Sequence, residues 1–113
     1  MATFTEGTQY GALNGVTEVT LVSAPAASTR RILKSIKICN RDTASVGLHV
    51  AKAVAGARYR IISNMTLSVG DTLFFEEGDI DVLIATNQSI VAWLAGAIAT
   101  TNPDFTAAYA DVT

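Results

Sequence analysis

Apolar and polar side chains alternate with a period of two along much of this chain, which is the pattern of strands with one buried face. Over residues 18–22, Val19 and Leu21 share one parity while Glu18 and Thr20 take the other. Ala24-Pro25-Ala26-Ala27-Ser28 then interrupts the run, because proline has no N–H to give a ladder. Residues 30–40 form the strongest predicted strand, with Ile32, Ile36 and Ile38 on one parity and Leu33 and Cys39 on the other. Lys34 breaks the apolar series and predicts an edge, a bulge or a snorkelling stem. Asn40-Arg41-Asp42-Thr43 reads as a turn, since Asn and Asp side chains bond their own backbone. Val46, Leu48 and Val50 alternate with Ser45, Gly47 and His49, predicting a strand antiparallel to the one before.

Small residues from Ala53 to Ala57, Gly56 among them, form the next connection. Residues 58–67 carry Tyr59, Ile61, Met65 and Leu67 on one parity, and Ser68-Val69-Gly70-Asp71 signals a turn. A short strand is predicted over 72–76, a turn at Glu77-Gly78-Asp79, and a further strand in which Ile80, Val82 and Ile84 alternate with Asp81 and Leu83. The stretch 89–99 is apolar on both parities and carries Trp93. Short strands at regular spacing, with no βαβ unit, predict an all-β protein: an antiparallel, jelly-roll-like β-sandwich of about seven or eight strands.

Three segments follow from this pattern: an N-terminal arm at 1–15, the sandwich at 16–99 and a C-terminal arm at 100–113. Gly7, Gly11 and Gly15 punctuate the first arm, whose apolar residues show no sustained period. In the second, Asn102 can cap a short helix with Pro103 at its first position, placing Phe105 and Tyr109 on one face. An extended tail would instead reach roughly 45 Å. Both forms leave two aromatic anchors that dock on a neighbouring molecule or fold back on their own sandwich.

Composition narrows the class. Half of the 113 residues are apolar and 16% are charged, which excludes disorder and leaves little charge to keep the surface wet. Covered surface, or a second face rich in Ala and Thr, accounts for that balance. All eight basic residues fall between Arg30 and Arg60, and five acids (Asp71, Glu76, Glu77, Asp79, Asp81) follow. Such asymmetry steers association between molecules; opposite charges on neighbouring strands of one molecule give the same pattern. With a net charge of −2 and basic residues not interleaved with a series of stacking aromatics (Tyr59 alone lies among them), nucleic-acid binding is not expected. Nor is a membrane span or a signal peptide.

Candidate chemistry is sparse. One histidine, His49, on a polar strand parity, and one cysteine, Cys39, supply neither a catalytic constellation nor a zinc ligand set. No glycine-rich phosphate loop is present, and the acids at 76–81 do not follow a calcium-loop spacing. No enzyme activity, cofactor or metal is therefore expected. A carbohydrate-binding module using exposed aromatics is a reading of another class.

The segment TRRILKSIKICN, then SVGLHVAKA and ISNMTLSVGDTLFFEEGDIDVLIAT, resembles a β-sandwich domain of bacteriophage virion structural proteins. The matching residues are Pro25, Thr29, Arg30, Ile32, Lys34, Ser35, Ile36, Asn40, Thr66, Leu67, Gly70, Asp71, Thr72 and Leu73, within 19–99. The chain departs from receptor-binding members in lacking their longer loops, which puts host recognition in doubt. The resemblance implies a non-enzymatic virion protein made in the host cytoplasm: a capsid decoration or cement protein, or a tail, neck or fibre subunit. Its partners would be the major capsid protein or tail and neck proteins, and copies of itself, with a trimer favoured. The residues expected at protein interfaces are Arg30, Arg31, Arg58, Arg60, Glu76, Glu77, Trp93, Phe105 and Tyr109.

Overall fold

The computed structural model describes residues 3–76 and 82–113. Among these it has eight strands and no helix: β1 (Phe4–Ala12), β2 (Val19–Val22), β3 (Arg30–Cys39), β4 (Val46–Val54), β5 (Ala57–Leu67), β6 (Thr72–Glu76), β7 (Gln88–Leu94) and β8 (Asp104–Val112). They form two antiparallel four-stranded sheets, ordered β1-β8-β3-β6 and β2-β7-β4-β5. The pairs β1–β8, β2–β7, β3–β6 and β4–β5 are those of one long two-stranded ribbon folded over on itself. Contacts β3–β8 and β4–β7 then join the rolled ribbon into sheets. This order is the jelly roll.

The strands β3 and β4, expected to pair, lie in different sheets. The polar residues read as a hairpin turn instead build a corner. Asn40 is buried and donates from Nδ2 to the carbonyls of Ala44 (3.1 Å) and Leu67 (2.9 Å), while its Oδ1 accepts the Asp42 N–H. The buried Asp42 carboxylate accepts from the N–H groups of Ala99, Thr100, Thr101 and Thr43. These backbone donors, Ala99 and Thr100 foremost, outweigh desolvation and hold the carboxyl well below the ordinary aspartate range. One side chain thus fixes both the β3–β4 crossing and the approach to β8.

Alternation places the core. Ile36 and Ile38, Val46, Leu48 and Val50, and Ile90, Ala92 and Leu94 face inward between the sheets with Phe105 and Ala107. On β3 the register with β8 slips between Leu33 and Ser35, so Lys34 is the extra residue of a bulge. A bulge shifts parity. Arg31 and Leu33 therefore point inward before it and Ile36 and Ile38 after it, which moves Ile32 off the core face where alternation placed it. Leu83, buried and bridged to Arg31, fills the core while Ile84 is exposed, the reverse of the expected parity. Ile80 and Asp81 of that expected strand and the turn before it fall in 77–81, outside the described residues. Likewise β7 ends at Leu94, not Ala99.

Both presumed arms are strands of the first sheet. The C-terminal segment is β8, an interior strand between β1 and β3, and not a helix. The N-terminal segment is β1, paired with β8 along its whole length. Their glycines and aromatics explain each other. Register sets Gly7 opposite Tyr109 and Gly11 opposite Phe105. A Cβ on Gly7 would stand 2.6 Å from the Tyr109 ring, and one on Gly11 3.3 Å from that of Phe105. The two rings thus lie under the backbone of β1 where side chains are missing, a way of filling glycine gaps at a sheet edge.

Candidate interaction surfaces

Three places gather the residues expected at interfaces. The first is one end of the sandwich, where Arg31 lies inside the fold. Its Nε and Nη2 reach the two carboxylate oxygens of Asp111 at 2.8 and 3.0 Å, and Nη1 donates to the Ser23 carbonyl at 2.8 Å. The guanidinium also sits 4.0 Å above the Tyr109 ring centroid. A bidentate pair stacked on an aromatic is a strong, oriented use of arginine. Because Ser23 follows β2 and Asp111 lies on β8, Arg31 clamps one sheet to the other. Phe105 is buried in the core. Arg31, Tyr109 and Phe105 therefore make contacts within the fold, and for the two tail aromatics this is the folding back on their own sandwich that the sequence left open.

The second place is the outer face of β2-β7-β4-β5. Across β7 and β4, Trp93 lies opposite His49, and their rings stack with centroids 5.2 Å apart. The Arg60 guanidinium lies 5.4 Å from the Trp93 ring centroid. Arg60 and Arg58 are the cross-strand partners of Ala51 and Ala53, so all four share this face. Arg58 forms a two-point ion pair with Glu18, Nε to Oε2 at 2.7 Å and Nη2 to Oε1 at 2.8 Å. Beneath lie Ala51, Ala53 and Val91, all buried. The apolar outer side of β7 is thus roofed by the protein's own Trp93 and basic side chains, and the closeness of Arg58, Arg60 and Trp93 is a feature of the tertiary structure.

His49, passed over in the sequence as a surface residue, has a structural task here. Two residues of β5, Ser63 and Asn64, oppose it where the β4–β5 register slips. Asn64 has φ of 53°, and its N–H, turned out of the ladder, donates to His49 Nδ1 at 3.1 Å. Desolvation and then the nearby Arg60 charge push the imidazole pKa below its ordinary value of 6.5, which keeps Nδ1 free to accept. Only the pairing of His49 with the bulge in β5 carried this signal, and no residue of β5 marks that bulge in the sequence.

The third place is the outer face of β1-β8-β3-β6. Tyr10, Thr106, Lys37 and Phe74 lie side by side across its four strands. Tyr10 and Phe74 are exposed, as is Phe4 farther along β1. Lys37 reaches over the Phe74 ring at 5.4 Å. A shallow depression of about 310 Å³ runs beside Tyr10 over Thr8, Ser35, Lys37, Thr106 and Ala108. Arg30 is exposed at one end of this sheet and Glu76 at the end of β6, opposite Ser35. Glu77 lies outside the described residues. Among the described residues, Arg31 pairs with Asp111, Arg41 with Asp104 and Arg58 with Glu18.

Among solved structures, the chain is similar over 98% of its length to a chain of the cyanophage Pam1 capsid asymmetric unit, covering 84% of that chain with a TM-score of 0.51 and 16% identity. A second likeness, TM-score 0.51 and 10% identity, is to a chain in the structure of the infectious bursal disease virus Gx strain. This protein covers 99% of itself but only 33% of that chain, so it corresponds to one part of a longer polypeptide. A third, TM-score 0.51 and 8% identity, is to a chain of Bacillus endospore appendages, disulfide-linked pili, over 96% of this chain and 86% of that one. No family model and no curated protein matches the sequence. At these identities the likeness is one of fold. The jelly roll serves capsid proteins, lectin domains and cupins alike, and function is argued from surfaces rather than from the fold.

Proposed function

We propose that this chain is a non-enzymatic virion structural protein, a decoration or cement protein that stabilises a phage capsid by protein–protein contacts. The observation that carries this reading is the whole-chain likeness to a chain of the cyanophage Pam1 capsid asymmetric unit, in which a single small jelly roll accounts for most of both polypeptides. The surfaces agree with it. The outer face of the first sheet exposes Phe4, Tyr10 and Phe74, and such apolar exposure marks a contact surface. Arg30 and Glu76 border that face, while Arg60 and Trp93 offer a second contact on the opposite sheet. The partner in this reading is the major capsid protein, with further copies of the chain in a symmetric arrangement, a trimer by the resemblance noted above. Purified particles carry the test: the chain should co-purify in fixed stoichiometry with the major capsid protein. Recovery only in the lysate contradicts the proposal.

The likeness to a chain of the endospore appendages favours a second reading, a tail, neck or fibre subunit. Stoichiometry separates the two. A decoration protein is present in numbers comparable to the capsid subunit, a tail or neck subunit in far fewer. A carbohydrate-binding role finds less support, because His49 stacks on the Trp93 ring and Arg60 also lies against it.

A further inference from the structure

Among the described residues the two sheets end in four edges: β1 and β6 on one, β2 and β5 on the other. Open edges invite pairing with another chain, and proteins blunt them with shortness, bulges or charge. Three of the four are blunted. β2 has 4 residues and a register break. β6, Thr72–Glu76, carries the charge of Glu76. β5 slips register twice and carries Arg58 and Arg60. β1 has none of these devices. Its 9 residues pair with β8 without a break, and Glu6 is its one charge.

Hydrogen-bond parity shows which groups of β1 are open. Thr3 and Thr113 exchange both backbone bonds, at 3.2 and 3.1 Å, so they form a hydrogen-bonded pair. In an antiparallel ladder such pairs alternate with non-hydrogen-bonded ones. Thr5, Gly7, Gln9 and Gly11 therefore direct their N–H and C=O groups at β8. Phe4, Glu6, Thr8 and Tyr10 direct theirs at the free edge, and all four are exposed. Their side chains share the outer face of the sheet.

We propose that β1 is a self-pairing edge: two copies of this chain join antiparallel along it, with the two-fold axis at Gly7. Phe4 and Tyr10 lie three residues to either side of Gly7, so that axis sets Phe4 of one copy opposite Tyr10 of the other, twice over. The open groups of Phe4, Glu6, Thr8 and Tyr10 then meet as hydrogen-bonded pairs. The only charge, Glu6, faces the Thr8 hydroxyl of the second copy, and no like charges meet. An axis at Thr8 would instead set Tyr10 against Glu6 and Phe4 against Ala12, losing both aromatic pairs, which are among the stabilising cross-strand combinations. The result is one continuous eight-stranded sheet, with the exposed Phe4 and Tyr10 side chains covered by each other. The arrangement is a dimer, a different closed symmetry from the trimer of the preceding section, and it stands independently of the virion reading.

Sedimentation equilibrium of the full chain, across micromolar to millimolar concentration, tests this with substitutions at Thr8. Thr8→Pro removes an N–H that β8 does not use and should yield a folded monomer. Thr8→Lys places a cation opposite Glu6 of the second copy and Thr8→Glu an anion, at two symmetric positions. The dimer should tighten roughly two- to thirty-fold with Lys and weaken by a similar factor with Glu. Circular dichroism of each variant separates loss of pairing from loss of fold, and the Lys and Glu variants decide the matter should the Pro variant unfold. A wild-type chain that stays monomeric throughout overturns the proposal, as does a dimer indifferent to the sign of the charge at residue 8. Weakening by both Lys and Glu overturns the Gly7 axis.

Discussion

Replacing Gly7 by alanine probes the packing that makes β1 part of the fold. The added Cβ would stand 2.6 Å from Cζ and Oη of Tyr109 and 2.8 Å from Cε2, against an optimum of about 3.5–4.0 Å between carbons. The ring must therefore retreat by about 1 Å. It has little freedom to do so, because the Arg31 guanidinium lies 4.0 Å from its centroid and is itself held by Asp111 and Ser23. Overpacking of this kind costs about 1–3 kcal/mol. Removing a strand glycine returns about 0.5–1 kcal/mol. The net destabilisation is about 0–2.5 kcal/mol, centred near 1 kcal/mol, with roughly 4–8 °C in Tm per kcal/mol for a domain of this size. Gly11→Ala is the internal control. Its Cβ would meet the Phe105 ring at 3.3 and 3.4 Å, which a small shift relieves, so stability should hold or rise slightly. Urea denaturation followed by circular dichroism measures both. In a Tyr109→Leu background the Gly7→Ala penalty should vanish, a coupling of about 1–2 kcal/mol between the two sites. Equal, small effects of Gly7→Ala and Gly11→Ala in both backgrounds would refute the reasoning and return residues 4–12 to the status of a free arm.

Other consequences are open to direct measurement. Deleting residues 102–113 removes β8 from between β1 and β3 and should abolish the cooperative urea transition; a truncated chain that still unfolds cooperatively contradicts the assigned sheet order. Arg31→Met strands a partly buried Asp111 and should cost about 2–4 kcal/mol, somewhat less than for a fully buried pair because Asp111 retains some solvent contact. His49 has a lowered folded pKa, so the unfolded chain binds the proton more readily. Its contribution is complete above the ordinary value of 6.5 and is lost as pH falls from there through the folded pKa. Wild type should thus lose more stability between pH 7.5 and 5 than His49→Gln, and parallel curves would count against the bulge cap. At lower pH the same sign applies to Asp42, whose stabilisation is present above 3.8 and fades as its carboxylate protonates.

Legibility in the sequence followed the hydrophobic pattern. Where inward positions are apolar, as in β3 and β4, alternation located the strand within a few residues; β7, apolar on both parities, was marked by its unbroken apolar run, which overshot its end by five residues. β1 defeats that signal, because its inward positions are Thr5, Gly7, Gln9 and Gly11 while Phe4 and Tyr10 face out. Its evidence lay in a correspondence: glycines four apart at one end and aromatics four apart at the other, which only the β1–β8 register unites. The spacing of Phe105 and Tyr109 misled for a related reason, since a separation of four satisfies both a helical face and a strand face. Lys34 pointed to an edge, a bulge or a snorkelling stem, but not to a bulge that exchanges Ile32 for Leu33 in the core. The assignment of β3 and β4 to separate sheets depends on Asn40 and Asp42 bonding groups 27 to 59 residues away, which no local turn rule contains. The same holds for the candidate surfaces. Arg58, Arg60 and Trp93 meet because of sheet order, and Arg31 and Phe105 look in sequence like any exposed arginine and tail aromatic.

Imaging of purified particles by electron cryomicroscopy tests the central claim most directly. The account predicts an eight-stranded jelly roll resolved on the capsid shell at symmetry-related positions, with an outer sheet face against the major capsid protein. Particles whose shells lack this density, or that carry it only along a tail or neck, would contradict a capsid-decoration role.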